Sequence, residues 1–392
     1  MSAETPQTYV PTAFLRSITA APPVEAVRLH GGQPVLGPVP EHDWESRVVL
    51  NPAGVLIEAG EELDALIAAW GLTEAEARTL RQAGGACVLV YRAQGKVDPT
   101  LEMAPSSLGL AVLTPDMEPV RRWAEPVLAP DAPFHNLGLE DPRCTRVGDR
   151  YFLYYTGYTD PTPEDPFDRR VHVCLATTQD FLTWDLRGPV EGEINGVNNK
   201  NSALLPEPVD GRWLLLHRPM EGPHAMAIHW ASAPDPAGPW TSEGLLFASY
   251  RYREFVRSWV GAGGPPVALG GGRFLMIYHQ GHFSAEGRRE YDLSAALLDF
   301  TADDPVLARL EPLIRPTGAL ETEGDAELGV DNVVFSCANY RWRDGLVVPY
   351  AGADSRIFGA ALPFDGLVAA LEEAEDPAPD VHENDPGEAP VA

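Results

Sequence analysis

The chain has 392 residues, with 29 Lys and Arg against 57 Asp and Glu, for a net charge of −28. That length allows two or three domains or one large all-β unit, and it is ample for a core without disulfide staples. The acidic balance argues against nucleic acid or an anionic membrane as the main partner, while leaving room for a local basic pocket that takes phosphate.

The 36 Gly and 38 Pro imply frequent turns and few long helices. Lysine is nearly absent: Lys96 and Lys200 stand against 27 Arg, a compositional bias that singles out the two survivors. The four cysteines, Cys87, Cys144, Cys174 and Cys337, form no CxxC pair and sit in apolar strand-like runs. Buried free thiols are therefore expected, and no metal site. The first residues lack a basic segment leading into an apolar core, and no run of about 18 apolar residues occurs. A soluble, reducing, cytoplasmic setting is the expectation.

In chain order, residues 1–25 read as an irregular N-terminal arm. A catalytic domain is expected over 26–368, interrupted by a helical insertion at 61–83. There Leu63, Leu66, Ile67 and Trp70 follow helical spacing, and Thr73 with Glu76 forms a capping box that opens Glu74 to Gln82. The hairpin should end at Gly84-Gly85. From Leu371 the last 22 residues carry eight acids, four prolines and no Lys or Arg, so an acidic disordered tail is expected over 369–392.

The rest of the chain repeats. Five times a turn leads into an apolar, aromatic strand: Gly85–Ala93, Gly148–Gly157, Asp210–Pro219, Gly271–Gly281 and Arg343–Ala353, whose ends are spaced by 64, 62, 62 and 72 residues. Short strands at that period suggest an all-β, five-bladed β-propeller with one four-stranded sheet per blade; a pair of β-sandwiches is the alternative. Equivalent strand ends would then converge, bringing Arg92, His217, Arg218, His279 and Asp354 towards one pocket.

Other residues carry chemistry by type and place. Glu140 and Asp141 adjoin Pro142-Arg143. In an extended stretch neighbouring side chains point to opposite faces, so one carboxylate could face a pocket and the other a structural partner; both could equally lie in water on a turn. Lys200, His217 and Arg218 fall around one hairpin and could hold an anion, or pair with Glu207 on the surface. Trp259 to Pro266 is glycine-rich without a P-loop pattern, which fits a tight pocket wall or simply a turn. His279 and His282 have no clear third metal ligand.

Taken together these segments resemble glycoside hydrolase family 130, the inverting β-mannoside phosphorylases and their mannosidase relatives. The resemblance runs in order from Asn51 to Phe364. It uses Asn51-Pro52-Ala53, Tyr91-Arg92-Ala93, Gly138–Arg143, the Lys200 segment, Leu205-Pro206-Glu207 and His217-Arg218-Pro219. It continues through Gly261–Pro266, Tyr278-His279, Ala296–Asp299, Asn332–Phe335 and Ala351–Asp354. The resemblance implies a five-bladed propeller with an axial site and Asp141 as catalytic acid, acting through a sugar hydroxyl. Inorganic phosphate would be the co-substrate, with no cofactor and no metal. Inversion at a β-mannoside would give α-mannose 1-phosphate and a shortened saccharide.

Phosphate is an anionic nucleophile and needs no general base, only positive charge to hold it. The expected phosphate ligands are Lys200, His217, Arg218, Arg92, Arg143 and His279, with Arg143 alternatively bracing Glu140 or Asp141. Asn51, Glu140 and Asp354 are candidates for sugar hydroxyls, and Trp259 and Tyr278 for stacking on a sugar face or for the core. The sequence departs from the family pattern at Asn201, where aspartate commonly follows the lysine, at Gln280, and in the helical insertion, which could cover the pocket, narrow the acceptor site or build an oligomer contact. The acidic, proline-rich stretch from Asp160 to Asp168 could also shape that end.

The partners expected are a small oligosaccharide and phosphate, without nucleic acid or membrane; self-association is left open. A β-mannoside hydrolase on the same fold is the competing reading, with Glu207, Glu323 or Asp331 as its base. A non-catalytic glycan-binding propeller is the third.

Overall fold

The computed structural model describes residues 22–160, 170–249, 258–283 and 287–374. Most of the expected arm, all but its last four residues, and nearly all of the 160–168 stretch fall outside them. The fold is all-β, and its strands group into five antiparallel units in chain order. The first unit holds Val48–Glu58, Gly85–Gln94, Ser106–Leu113 and Pro119–Arg122. The second holds Gly138–Val147, Arg150–Tyr158, Val171–Thr178 and Asp185–Pro189. Asn199–Leu204, Trp213–Pro219, Ile228–Ala233 and Thr241–Phe247 make the third. Ser258–Ala262, Arg273–Phe283, Arg289–Asp299 and Val306–Ile314 make the fourth. The fifth is Val334–Phe335, Gly345–Gly352 and Arg356–Pro363, completed by Val27–Arg28 from the other end of the chain, with Val27 opposite Ala361. A parallel bridge from Ser106 to Gly138 links the first two units.

The five repeated segments of the sequence form the second strand of each unit. These strands read as near-continuous apolar runs because neighbouring sheets cover both of their faces. Tyr154, Leu175, Leu204, Leu215 and Trp240 pack the second unit on the third. Leu216, Met276, Tyr278 and Leu298 pack the third on the fourth. Leu275, Leu293, Tyr350 and Phe358 pack the fourth on the fifth. All four cysteines are free and buried in this packing.

The N-terminal strand of the fifth unit is pinned by charge as well as by its ladder. Arg28 pairs with the buried Glu321 at 3.0 Å, and Glu321 also accepts from the Tyr350 hydroxyl and from Thr317 N.

The helical hairpin forms as Glu61–Ala69 and Glu74–Ala83. Thr73 and Glu76 make the reciprocal capping box, and Gly84 ends the second helix at φ 87°, where a Cβ would be strained. Leu63, Leu66, Leu80 and Trp70 bury against the first two units, and the Trp70 indole donates to Asp180 O at 2.8 Å. Ladder register decides what the insertion does. It joins Glu58 to Gly85, whereas Leu50 pairs with Arg92 at the other end of the same two strands. Those ends lie about 25 Å apart at roughly 3.3 Å per residue. The insertion therefore braces the end of the strands away from Arg92, rather than covering the end that carries it.

The expected tail begins too early. A helix, Phe364–Glu372, continues past residue 369, with Leu367 and Leu371 fully buried beside Leu346 and Leu362. The acidic composition masked two apolar positions at i and i+4. Replacing Leu371 by Ala should cost about 2–4 kcal/mol, as for other buried leucines. A lowered calorimetric Tm for Leu371→Ala is the expected result.

Candidate active site

The site is built where the inner strands begin. In three units the first strand carries one residue of left-handed backbone at the same place: Asn51 (φ 46°), Asp141 (φ 47°) and Asn201 (φ 58°). Each coincides with a break in ladder register, between Leu50 and Ala53, Glu140 and Arg143, and Lys200 and Ala203. Asn and Asp are the side chains that best tolerate this conformation, and such a bulge re-aims the side chain. Pro52 and Pro142 follow two of them, where the ladder is already interrupted.

The bulge changes what Glu140 and Asp141 can do. Alternation would send them to opposite faces, but both carboxylates meet Arg92: Glu140 Oε1 accepts from Nη2 at 2.8 Å and Asp141 Oδ1 from Nη1 at 3.3 Å. Arg92 Nε donates to Ser106 Oγ at 2.9 Å, which fixes the plane of the guanidinium. Asn51 Nδ2 donates to Asp141 Oδ1 at 2.7 Å, so Asn51 orients the acid. Lys200 Nζ stands 3.8 Å from Glu140 Oε2.

The next cation takes the second of its two expected roles, that of a brace. Arg143 is buried and donates to Gly263 O (2.8 Å), Ala262 O (2.7 Å) and Asp141 O (2.8 Å). Its guanidinium is a brace on backbone carbonyls rather than a phosphate ligand. The glycine-rich stretch supplies two of those carbonyls, which explains its close approach.

Lys200 pairs in register with Arg218 on the neighbouring strand. Arg218 is 6% exposed, and burial pulls it down to about 10, still charged at neutral pH. His217 shares its Nδ1 with the Asn199 amide at 2.9 Å, and burial together with His229 lowers it to about 3, so it is neutral. His279 is fully buried, and burial with Arg218, Arg143 and Lys200 holds it far below the usual imidazole range.

The two aspartates are shifted in opposite directions. Burial would raise Asp141, but Arg92, Lys200, Arg143 and the Asn51 hydrogen bond outweigh it and hold it below the usual carboxylate range. Asp354, on the turn between Gly345–Gly352 and Arg356–Pro363, is raised by burial to about 7; Arg92 opposes the shift and Asp141 adds to it.

The aromatic candidates divide. Trp259 is 8% exposed, with its ring edge-on to Phe283 and Tyr291, both at 5.5 Å. Tyr278 has no exposed surface, packs 5.1 Å from Phe247 and donates to Glu311; it belongs to the core, not to a sugar platform. A cavity of about 150 Å³ opens nearby between His282, Glu290, Tyr291, Asp292, Arg315 and Asn332. Tyr291 is the shared wall, since its ring lies 6.1 Å from that of His279. Tyr291, Ser106 and Asn199 were not among the site residues expected from the sequence. Strand parity offered a signal for Tyr291, which lies opposite Gly281 at the end of a recognised repeat.

Glu207, Glu323 and Asp331, the bases that hydrolysis would need, do not join this cluster. Glu207 is exposed on the turn at the far end of the Lys200 strand, and Glu323 is exposed. Asp331 accepts from Gly324 N at 2.9 Å. Among the described residues none of the three is in hydrogen-bond or ion-pair contact with Asp141, Arg92 or Lys200.

The model of a family described as beta-1,4-mannooligosaccharide phosphorylase, glycoside hydrolase family 130, matches residues 80–373. The chain belongs to glycoside hydrolase family 130. A 1,2-beta-oligomannan phosphorylase of Thermoanaerobacter sp. is 30% identical over 337 residues, covering 84% of this chain and 94% of that protein. A beta-1,2-mannobiose phosphorylase of the same organism is 29% identical over 338 residues, covering 84% and 95%. Among solved structures, beta-1,2-mannobiose phosphorylase from Listeria innocua superposes with a TM-score of 0.65 at 21% identity, over 89% of this chain and 99% of the other. A family-130 structure titled for hydrolases that target beta-1,2 mannosidic linkages in Candida mannan gives the same TM-score at 21% identity, over 88% and 94%. The fold is thus shared between family-130 proteins of both chemistries, and the residues of the site have to tell them apart.

In this family-130 chain the Asp354 shift has a measurable sign. Its folded value of about 7 lies above the ordinary 3.8, so the folded state keeps a proton that the unfolded chain has lost. The associated stability is present at low pH and is lost as pH rises through that window. The gap in urea midpoint between the wild type and Asp354→Asn should therefore shift in favour of the variant from about pH 4 to pH 8. Parallel midpoints across that range would show that Asp354 titrates normally.

Proposed function

We propose that the chain is a β-mannoside phosphorylase that works with inversion, on a five-bladed propeller whose blades are the five strand units. The observation that carries this reading is the charge pattern around Asp141. Arg92, Lys200 and Arg218 bring three cations to the Glu140–Asp141 pair, while Asp354, a further buried carboxylate beside them, is raised to about 7 and so adds less than a full negative charge at neutral pH. An excess of positive charge suits an anionic nucleophile.

In this mechanism phosphate lies against Lys200, Arg218 and Arg92, with His217 and His279 as neutral neighbours. A phosphate oxygen attacks C1 of the mannosyl unit. The bond from C1 to the leaving oxygen breaks on the opposite face; that oxygen takes the proton of a neighbouring sugar hydroxyl, which takes one in turn from Asp141. Asn51 holds the acid in place, and Glu140 holds Arg92 and Lys200. Asp354 and Glu140 suit sugar hydroxyls, and the cavity beyond Tyr291 suits the far end of the saccharide.

Asp141 is ionised in the empty site, yet it must donate a proton. Phosphate supplies the remedy: its charge offsets that of Arg92 and Lys200, the two strongest charges holding the carboxyl acidic, and so raises its proton affinity. Nucleophile binding and arming of the acid are thereby linked.

Beta-1,2-linked mannobiose is the first substrate to try, because the curated relatives act on that linkage, with beta-1,4-linked mannobiose as the second arm. Phosphorus NMR should show α-mannose 1-phosphate appearing only with phosphate present. Asp141→Asn should lower turnover by about 10³-fold or more. Lys200→Ala should raise the KM for phosphate by about 10- to 100-fold. Free mannose released at the same rate without phosphate would make the chain a hydrolase and sink the proposal.

A further inference from the structure

One curated relative is an oligomannan phosphorylase and the other a mannobiose phosphorylase, so likeness alone leaves the length of the saccharide open. The cavity beyond Tyr291 bears on it. That cavity, of about 150 Å³, lies where the fourth unit joins the fifth. His282 comes from the end of one strand of the fourth unit, and Glu290 and Asp292 from the start of the next. Arg315 follows the last strand of that unit, and Asn332 stands just ahead of the first strand of the fifth. Tyr291 connects this place to the candidate active site. Burial raises its hydroxyl, Arg218 and Arg289 oppose the shift and Asp354 adds to it, so the ring stands in the field of the site while it walls the cavity.

The lining selects a chemical class. Glu290 and Asp292 set two carboxylates beside the Arg315 guanidinium, and His282 Nε2 lies 3.5 Å from Glu290 Oε2. Phosphate would meet both carboxylates, and an apolar group would strip water from every one of these polar side chains. A neutral, polyhydroxylated ligand fits: carboxylates accept from hydroxyls, while guanidinium and amide donate to them.

Asn332 is placed to read such a ligand. Its backbone is committed to the join between the units, with N donating to Thr322 O at 3.3 Å and O accepting from Tyr291 N at 2.9 Å. Its φ of 56° is the same left-handed conformation that re-aims Asn51 and Asp141. Its side-chain amide borders the cavity and forms no hydrogen bond with another described residue.

We propose that the cavity is a subsite for a sugar unit remote from the bond that is broken, and that Asn332 is the specificity-determining residue that binds a hydroxyl of that unit. A disaccharide fills only the positions on either side of the broken bond. The chain therefore prefers saccharides of three or more units. The inference rests on the β-mannoside part of the reading above and makes no use of the phosphate part.

The test measures binding by calorimetry in the Asp141→Asn background, where the ligand is not consumed. The probes are β-1,2-linked mannobiose and mannotriose, with the β-1,4-linked pair as a second arm. The trisaccharide should bind about tenfold or more tightly than the disaccharide of the same linkage. Adding Asn332→Gly, which takes φ 56° without strain, should weaken the trisaccharide by about 3- to 10-fold and leave the disaccharide within about twofold. Asn332→His keeps a backbone that His30 and His224 already adopt, and its ring fills the cavity. In that variant the trisaccharide should bind no better than the disaccharide.

Equal affinity for the two lengths, no binding of either, or equal losses for both in the glycine variant would overturn the inference. Should the glycine variant fail to fold, a length preference retained by Asn332→His overturns it equally. Free mannose released by wild type without phosphate would instead defeat the phosphorylase reading, while the affinity ratio still judges the subsite separately.

Discussion

One buried guanidinium holds the site together. Arg143 leaves the inner strand of the second unit and donates to two carbonyls of the fourth, Ala262 O and Gly263 O, while its third bond returns to Asp141 O. Removing it would strand three carbonyls in the interior, each costing about 1–3 kcal/mol. The same group adds to the field of the site: after burial, its charge helps to keep His279 and Arg218 from holding a proton, and it reinforces Arg92 and Lys200 in lowering Asp141. The brace and the field come from one side chain, so packing and acidity at this site cannot be varied independently.

Around that brace the three left-handed bulges supply the functional groups. A regular strand would turn alternate residues away from the pocket. The bulge breaks the alternation once in each of three units, and so lets Glu140 and Asp141 serve a single Arg92. The conformation is local and costs little with Asn or Asp, whereas most other side chains would strain it. Chemistry and backbone therefore select the same residues: an acid in one unit and amides in the other two.

Much of this was legible in the sequence. The helical hairpin was plain because its capping box, apolar spacing and terminal glycine are all local signals. The five strands were plain because each is buried on both faces and ends in polar residues. The gathering of Arg92, Arg218 and His279 followed from the repeat alone. The bulges were not legible, because positive φ leaves no spacing signature beyond an Asn or Asp before a proline. Arg143 was expected either on phosphate or as a brace on Glu140 or Asp141; it does brace the Asp141 carbonyl, but nothing near it in the sequence shows that its other two partners lie about 120 residues away. Tyr278 could have been assigned correctly. It neighbours His279 on a strand, so one of the two must face the intersheet core.

The closing strand of the fifth unit bears on how the chain reaches this state. Val27 and Arg28 complete a sheet whose other strands are among the last described, and the Arg28–Glu321 pair spans 293 positions. Contacts of that separation incur most of the loop-closure entropy before they return any binding, which slows assembly. On the ribosome the first four units can fold in turn as they emerge. The fifth has to wait for the last strand, and until then the short opening strand has no ladder to join. The sheet left open in that interval is the one on which the helix Phe364–Glu372 packs Leu367 and Leu371, so the emergence of residues 356–372 seals both exposures together.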